Sequence, residues 1–151
     1  MVINNFLLIN LLMKKFTKQI TEIIIHCTAT PAGRDLHVDD IRRYHLQQGF
    51  ETIGYHYLIA LDGTIEQGRA LDLIGAHCLG HNDRSIGVAY VGGVTSDMTP
   101  ADTRTDAQRE SLVKLVDELL VRYPRASVHG HREFAAKACP CFDVKSEFSG
   151  R

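Results

Sequence analysis

The C-terminal part of the chain contains the stretch that decides how the rest is interpreted, Gly130-His131-Arg132-Glu133-Phe134-Ala135-Ala136-Lys137-Ala138-Cys139-Pro140. Imidazole nitrogen and thiolate sulfur are ligands that zinc prefers, so His131 and Cys139 are candidate metal ligands, and Lys137 adds a positive charge beside them. Gly130 and Pro140 resist regular helix and strand, which predicts a loop. An isolated pair of this kind is more often part of an ordinary surface loop. A metal site therefore needs a third ligand from elsewhere in the chain.

Length and composition exclude several classes of protein. The 151 residues are 44% hydrophobic and 23% charged, which fits one globular domain with its own core. A net charge of -1, with dispersed Lys and Arg, argues against a nucleic-acid partner, and the absence of Trp leaves little for base stacking. Four cysteines are too few and too unevenly spaced for a disulfide framework, so we expect reduced thiols.

The N-terminal segment is unusual. Residues 6–13 are apolar, but a membrane helix needs about 20 such residues. No basic residue precedes this run and no small-residue cleavage site follows it, so it is a poor secretory signal. We therefore expect no clear signal peptide and no membrane partner. Residues 1–18 are interpreted as an N-terminal extension of uncertain structure, and residues 19–151 as the folded domain.

The third candidate ligand is His26. Residues 21–28 form a β-branched apolar run that ends in a loop at residues 29–33, which predicts a buried strand. His26 lies near the C-terminal end of this strand, where open α/β sheets place reactive groups. Because successive side chains on a strand point to opposite faces, we give the ligand role to His26 and interpret Cys27 as a small buried hydrophobe. A lone His after an apolar strand is more often structural.

Further elements follow from periodicity and turn signals. The pattern predicts helices over residues 38–49 and 107–123, and strands over residues 53–60, 65–67, 85–93 and 126–129. His45 is assigned to the packing face of the first helix. On the strand over residues 53–60, Tyr55 shares a face with Tyr57 and Ile59. Its hydroxyl is a candidate for the mouth of a cleft, although an ordinary core-edge Tyr fits the pattern equally well.

A polar loop over residues 74–84 separates two predicted strands. Loops that glycines order between buried strands often carry binding groups. We select His77 and Asn82 as candidate substrate contacts. The alternative for Asn82 is that it caps a surface turn.

Six motifs occur in the order found in type 2 N-acetylmuramoyl-L-alanine amidases, which the chain resembles. They are Ile25-His26-Cys27-Thr28-Ala29-Thr30, Gly54-Tyr55-His56-Tyr57, Asp62-Gly63-Thr64, Gly75-Ala76-His77, Ser85-Ile86-Gly87-Val88 and the stretch 130–140. The likeness is greatest to the small bacteriophage amidases called lysozymes, relatives of the peptidoglycan recognition proteins, and runs from about residue 21 to residue 143. It implies a single α/β domain with a central mixed β-sheet flanked by helices and zinc at one edge.

The resemblance also implies a site. His26, His131 and Cys139 would bind one zinc ion per chain, and Tyr55 and Lys137 would lie at the catalytic centre. Three protein ligands leave a position for water, whose pKa falls to about 7 on zinc. Lys137 would stabilise the oxyanion, while Tyr55 would donate a hydrogen bond to it or help pass a proton to the leaving amine. The charges of zinc and Lys137 would favour ionised Tyr55.

Two residues complicate this ligand set. His129 lies close to His131, but the Gly-His-Arg pattern favours His131, and we interpret His129 as a strand residue. Cys141 departs from the phage pattern, which has a small polar residue at this position. It is a candidate for a second sulfur near the metal or for an oxidisable pair with Cys139.

The activity that the resemblance implies is hydrolysis of the amide between N-acetylmuramic acid and L-alanine in peptidoglycan. We expect a monomer that is made in the cytoplasm and acts on the cell wall after release or export. One alternative is a non-catalytic peptidoglycan-binding module, against which Cys139 and Lys137 speak. Another is a structural zinc domain with Cys141 as fourth ligand, although a Cys-Pro-Cys spacing is unusual for such sites.

Overall fold

The computed structural model of the protein describes residues 13–151. The predictions that concern residues 1–12 lie outside the described residues. Met13 is buried, and Phe16 packs against the core with its ring stacked on His56 at a centroid distance of 5.9 Å. Residues 13–16 therefore contact the domain, while the boundary at residue 18 stays a prediction.

A five-stranded mixed sheet and a two-stranded sheet form the β-structure of residues 13–151. The strands are β1 (Glu22–Cys27), β2 (Thr30–Pro31), β3 (Tyr57–Ile59), β4 (Ile65–Gln67), β5 (Ser85–Tyr90), β6 (Gly93–Val94) and β7 (Ser127–Gly130). In the large sheet the order is β4, β3, β5, β1, β7, with β4 antiparallel to β3 and the remaining pairs parallel. The predicted central mixed sheet is confirmed.

Helices cover both faces of this sheet. They are α1 (Val38–Gln47), α2 (Asp106–Arg122) and α3 (Val144–Glu147). Ile23, Ile25 and Cys27 of β1 point into the larger core cluster, which also contains residues of α2 and α3. Because side chains alternate along a strand, His26 points to the opposite face, which α1 covers. The alternation that we used to separate His26 from Cys27 is confirmed.

The predicted strand over residues 53–60 is largely wrong, because only Tyr57–Ile59 has strand geometry. Before it, the carbonyl groups of Gly54 and Tyr55 accept hydrogen bonds from the N–H groups of Ala76 and Arg69, so the backbone is held by a loop instead of a strand. The face assignment of Tyr55 fails for the same reason. Tyr57 and Ile59 pack in the cluster with α2, whereas Tyr55 packs on the side of α1.

The other elements differ from prediction mainly at their ends. The predicted strand over residues 85–93 stops at Tyr90, and β6 pairs with β2 in the small sheet. The Asp62-Gly63 turn joins β3 and β4 as predicted, and Gly63 adopts a φ of 87°, which glycine tolerates without strain. Among residues 13–151, every helix is too short or too polar to span a bilayer.

Candidate metal centre

Three side chains from distant parts of the chain converge at one edge of the sheet. The candidate ligand atoms of His26, His131 and Cys139 all lie within 4.8 Å of one another. The rings of His26 and His131 are 4.5 Å apart, and Cys139 Sγ is 3.8 Å from His26 Nδ1. The structure thus brings together the three predicted ligands, and their role as ligands stays a prediction.

The sheet and the C-terminal loop position this cluster. Strands β1 and β7 are parallel neighbours, so His26 and His131 leave the sheet at the same edge. A backbone hydrogen bond joins the two ends of the loop over residues 132–139, since the N–H of Arg132 donates to the carbonyl of Cys139 at 2.8 Å. The hydroxyl of buried Tyr90 donates to the carbonyl of Pro140 at 2.6 Å, which fixes the segment that carries Cys139.

The surroundings favour the protonation states that metal binding requires. Burial, followed by the nearby His77, holds the pKa of His26 well below its usual value. Burial also lowers the pKa of His131, and Lys137 adds to this effect. Hydrogen bonds from Cys27 lower the pKa of the Cys139 thiol, with the Cys27 N–H at 3.2 Å from the sulfur. Histidine binds a metal ion as the neutral imidazole, and cysteine binds it as the thiolate. These three side chains are therefore suited to bind a metal ion.

Tyr55 lies beside the cluster. Its ring centroid is 5.2 Å from that of His26, and its hydroxyl is 3.5 Å from the carbonyl oxygen of Cys27. Burial raises its pKa, and the neighbouring Cys139 adds to the shift. Among the protein groups this shift favours the protonated hydroxyl, which can donate a hydrogen bond. The expected influence of zinc and Lys137 on Tyr55 stays a prediction.

Two adjoining cavities open above the cluster. The first, of about 260 Å³, is lined by residues from five segments: His26, Cys27, Thr28, Ala29, His45, Gln48, Phe50, Tyr55, Ala76, His77, His131, Lys137 and Cys139. The second, of about 540 Å³, shares Lys137, His131 and His77 with it and extends along Phe134 and Leu79. Lys137 is exposed and borders both cavities, where its ammonium group can meet a molecule that reaches the cluster.

Residues 16–142 match the family described as N-acetylmuramoyl-L-alanine amidase. The chain belongs to this family. The endolysin of Klebsiella phage KP32 is 43% identical over 133 residues, which cover 87% of this chain and 88% of that protein. These findings confirm the predicted family and, with it, the prediction of a peptidoglycan amidase.

Two solved structures of similar fold agree with this assignment. The Ph2119 endolysin from Thermus scotoductus MAT2119 bacteriophage Ph2119 superposes with a TM-score of 0.75 at 27% identity, covering 85% of this chain and 81% of that one. N-acetylmuramoyl-L-alanine amidase LysC from Clostridium intestinale URNW superposes with a TM-score of 0.74 at 26% identity, covering 91% of this chain and 94% of that one. The predicted single α/β domain is thereby confirmed.

The two predicted substrate contacts of this family member have protein partners. Asn82 Oδ1 accepts hydrogen bonds from the N–H groups of His77 and Cys78 at 2.9 and 3.0 Å, which is the turn-capping alternative that we had left open. His77 lies behind His26, with Nδ1 at 2.8 Å from His26 Nε2 and Nε2 at 3.2 Å from Ser85 Oγ. Both residues also border the second cavity.

The sulfur of Cys141 has a different neighbour from the one expected. Its Sγ lies 4.0 Å from Cys27 Sγ, on the core side of β1, and it is outside the group formed by His26, His131 and Cys139. Cys141 meets Cys27 because β1 points Cys27 away from His26, and the chain after Pro140 enters the core on that side. A pairing of Cys141 with Cys139 stays a prediction.

His45 is a site residue that the sequence did not reveal. It lines the first cavity, its Nδ1 accepts a hydrogen bond from the N–H of Gly54 at 2.8 Å, and its ring lies 5.2 Å from that of Tyr55. On the helical pattern it looked like an ordinary packing residue, and no spacing links α1 to the cluster. His129, by contrast, is a residue of β7 as predicted, and it contacts Ser127 and Glu133.

Proposed function

We propose that the protein is a zinc-dependent hydrolase that cleaves the amide between N-acetylmuramic acid and L-alanine in cell-wall peptidoglycan. The observation that carries this proposal is the cluster of His26, His131 and Cys139 below an open cavity, in a member of an amidase family. Amide hydrolysis needs an activated water and a group that stabilises the oxyanion. A zinc-bound water and Lys137 are the proposed groups for these two tasks, and this proposal is supported by the fact that His26, His131 and Lys137 all line the same cavity.

Zinc fits this donor set best. Two imidazole nitrogens and one thiolate match its preferences, whereas magnesium and calcium take oxygen ligands. Three protein ligands with one open position are typical of catalytic zinc sites, so we propose one ion per chain. When bound, zinc supplies a Lewis acid that polarises a carbonyl group and lowers the pKa of water to about 7.

Lys137 and Tyr55 are the proposed catalytic residues. The ammonium group of Lys137, on the wall of both cavities, would stabilise the negative charge on the carbonyl oxygen of the scissile amide. Because burial raises the pKa of Tyr55, its hydroxyl is better suited to donate a hydrogen bond to the same oxygen than to relay protons.

The second cavity is the proposed approach for the substrate. It leads to Lys137 and His131, and Phe134 and Leu79 give it an apolar wall. Asn82 keeps its proposed role as a substrate contact through the nitrogen of its amide, since its oxygen binds backbone N–H groups. We further propose that the protein acts as a monomer on the cell wall after release or export.

Mass analysis of the products from purified peptidoglycan tests this function. We expect release of peptides that begin with a free L-alanine amine, together with glycan strands whose lactyl groups are free acids. A chelator should stop the release, and added zinc should restore it. Released disaccharides, or cleavage within the peptide, would contradict the proposed bond specificity.

The same experiment separates the hydrolase from a non-catalytic binding module. A binding module would sediment with insoluble peptidoglycan and release nothing, with or without zinc. Cys139 and Lys137 argue for the hydrolase, because a module that only binds requires neither a third metal ligand nor a cation beside it.

A further inference from the structure

His77 contacts the side of His26 that faces away from the sulfur of the cluster. His26 Nδ1 faces Cys139 Sγ at 3.8 Å, whereas His26 Nε2 lies 2.8 Å from His77 Nδ1. The two rings meet edge to face, with centroids 4.9 Å apart and planes at 87°. One nitrogen of His26 therefore faces the proposed metal position and the other faces His77.

The fold holds the ring of His77 in a closely fitted position. A Cβ atom added to Gly87 would lie 2.6 Å from the His77 ring, and one added to Gly75 would lie 2.7 Å from it. Both distances are too short for real contacts, so only glycine allows the ring to approach the backbone at these positions. The backbone of His77 is held as well, since its N–H donates to Asn82 Oδ1. The ring is therefore fixed from three sides.

A chain of hydrogen bonds that starts at Ser85 determines which ring nitrogen of His77, and then of His26, carries the proton. The hydroxyl of Ser85 donates to the carbonyl of His81 at 2.7 Å, so its oxygen accepts from His77 Nε2 at 3.2 Å. His77 in this tautomer carries a lone pair on Nδ1, which accepts the proton of His26 Nε2. His26 then keeps its Nδ1 lone pair free, on the atom that faces the cluster.

We propose that His77 is a positioning residue, which fixes the tautomer and ring orientation of His26 and thereby strengthens metal binding. Ligating histidines usually donate their other N–H to a protein group, and loss of that partner costs about 10- to 100-fold in metal affinity. The inference rests on the proposed zinc site. It replaces the substrate contact that we predicted for His77 from the sequence, because both ring nitrogens have protein partners.

A matched pair of variants tests the hydrogen bond itself. Leu and Asn have nearly the same shape, but only Asn offers an acceptor near the position of His77 Nδ1. The zinc dissociation constant, measured by competition with a chromogenic chelator, should rise about 10- to 100-fold in His77→Leu. In His77→Asn it should stay closer to that of the wild type.

The tautomer of His26 gives a readout that does not depend on activity. Nitrogen-15 spectra of the metal-free wild type should show one tautomer of His26, with its proton on Nε2. The His77→Leu variant should show a mixture of tautomers, because nothing then accepts that proton. The His77→Asn variant should restore the single form.

Ser85 and Ser127 provide a second matched pair. Both lie beside Glu22 of β1, Ser85 on one neighbouring strand and Ser127 on the other. The Ser85 hydroxyl contacts His77, whereas that of Ser127 contacts His129 at 2.7 Å. Ser85→Ala should weaken zinc binding, and Ser127→Ala should leave it unchanged.

Several outcomes would overturn the positioning role. One is equal zinc affinity in wild type and His77→Leu. Another is an equal loss in the Leu and Asn variants, which would show that shape alone matters. A third is a raised KM with unchanged zinc affinity, which would favour a substrate contact.

Each of these three outcomes would overturn the positioning role of His77 and leave the proposed function intact. A wild-type protein that binds no zinc would overturn both the positioning role and the proposed function. Circular dichroism of the metal-free variants checks folding. If His77→Leu does not fold, the serine pair decides.

Discussion

Lys137 is the side chain whose role depends most on charge. It is exposed, it borders both cavities, and it lowers the pKa of His131 across the site. As an ammonium group it has no lone pair to offer a metal ion beside His26, His131 and Cys139. Its contribution to catalysis should therefore be separable from metal binding.

We predict that Lys137→Ala retains one zinc ion per chain and lowers kcat by about 10²- to 10³-fold, the usual loss when one group that stabilises an oxyanion is removed. Zinc content and turnover of purified peptidoglycan are the measurements. Lys145→Ala, at an exposed position of α3, is the matched control and should behave as the wild type. Full activity of Lys137→Ala would remove the oxyanion role.

Tyr55→Phe removes only the hydroxyl and keeps the ring that packs beside His26 and His45. We expect kcat to fall by about 10²-fold while zinc affinity stays unchanged, because the role proposed for the hydroxyl is to donate to the reacting oxygen and not to bind the metal. Tyr57→Phe is the control, since Tyr57 packs in the core cluster on the other face. Equal activity of the two variants would leave Tyr55 with a packing role alone.

The sequence predicted the position of a site residue correctly where the alternation of side chains along a strand determines which face it occupies. Alternation along β1 separated His26 from Cys27 correctly. It did not predict His45 or the partner of Cys141, because both depend on how α1 and the C-terminal segment pack against the sheet. Such contacts arise from tertiary packing and have no sequence spacing of their own.

Among the elements, the C-terminal segment is held by Arg104, whose side chain is 1% exposed. Its guanidinium binds Asp102 through Nε and Nη2 and Glu147 of α3 through Nη1 and Nη2, at 2.7 to 2.9 Å. It also lies over the ring of Phe142, 3.3 Å from the centroid. This arrangement ties α3 to the connector before α2, close to the chain that carries Cys139.

We predict that Arg104→Ala lowers the free energy of unfolding by about 1.5–3 kcal/mol, because it removes the charged hydrogen bonds of a buried guanidinium, while Arg109 remains beside both carboxylates. Arg109 contacts the same carboxylates but is 43% exposed. Arg109→Ala should therefore cost less than about 1 kcal/mol. Urea unfolding measures both, and similar losses in the two variants would contradict the buried role of Arg104.

Apolar periodicity predicted the type of most helices and strands correctly, but it was wrong for the first half of the strand predicted over residues 53–60. Both long helices and strand β1 lie where the apolar pattern predicted them. Residues 53–56 have the composition of a strand, but loop backbone takes their hydrogen bonds and moves Tyr55 to the other face. Local β-propensity does not record which partner a backbone group finds.

The whole molecule buries several neutral histidines. His56 is 0% exposed, its Nε2 donates to the carbonyl of Leu73 at 2.7 Å, and its Nδ1 accepts from the N–H of Gly87 at 3.0 Å. Burial lowers the pKa of His56 to about 4. Burial also lowers the pKa values of His26 and His77. These groups make the stability of the metal-free protein depend on pH.

We predict that the free energy of unfolding of the metal-free protein falls between pH 6.5 and pH 4. In this window the unfolded chain, with His pKa values near 6.5, binds more protons than the folded chain, so acid favours unfolding. His56 alone accounts for about 3 kcal/mol across it. Urea unfolding in the presence of a chelator measures the slope, and His56→Gln should reduce it. Stability that is constant or rises toward pH 4 would contradict the neutral, buried state.

The coordination sphere of zinc in the loaded protein distinguishes an open catalytic site from a closed structural one. X-ray absorption at the zinc edge of the purified protein should show one sulfur at about 2.3 Å and nitrogen or oxygen neighbours at about 2.0 Å, four ligands in all. That pattern corresponds to His26, His131, Cys139 and one solvent molecule. Two sulfur neighbours would bring Cys141 or Cys27 into the site and close it, and a sphere without sulfur would exclude Cys139. Either result would contradict an open catalytic site built from these three side chains.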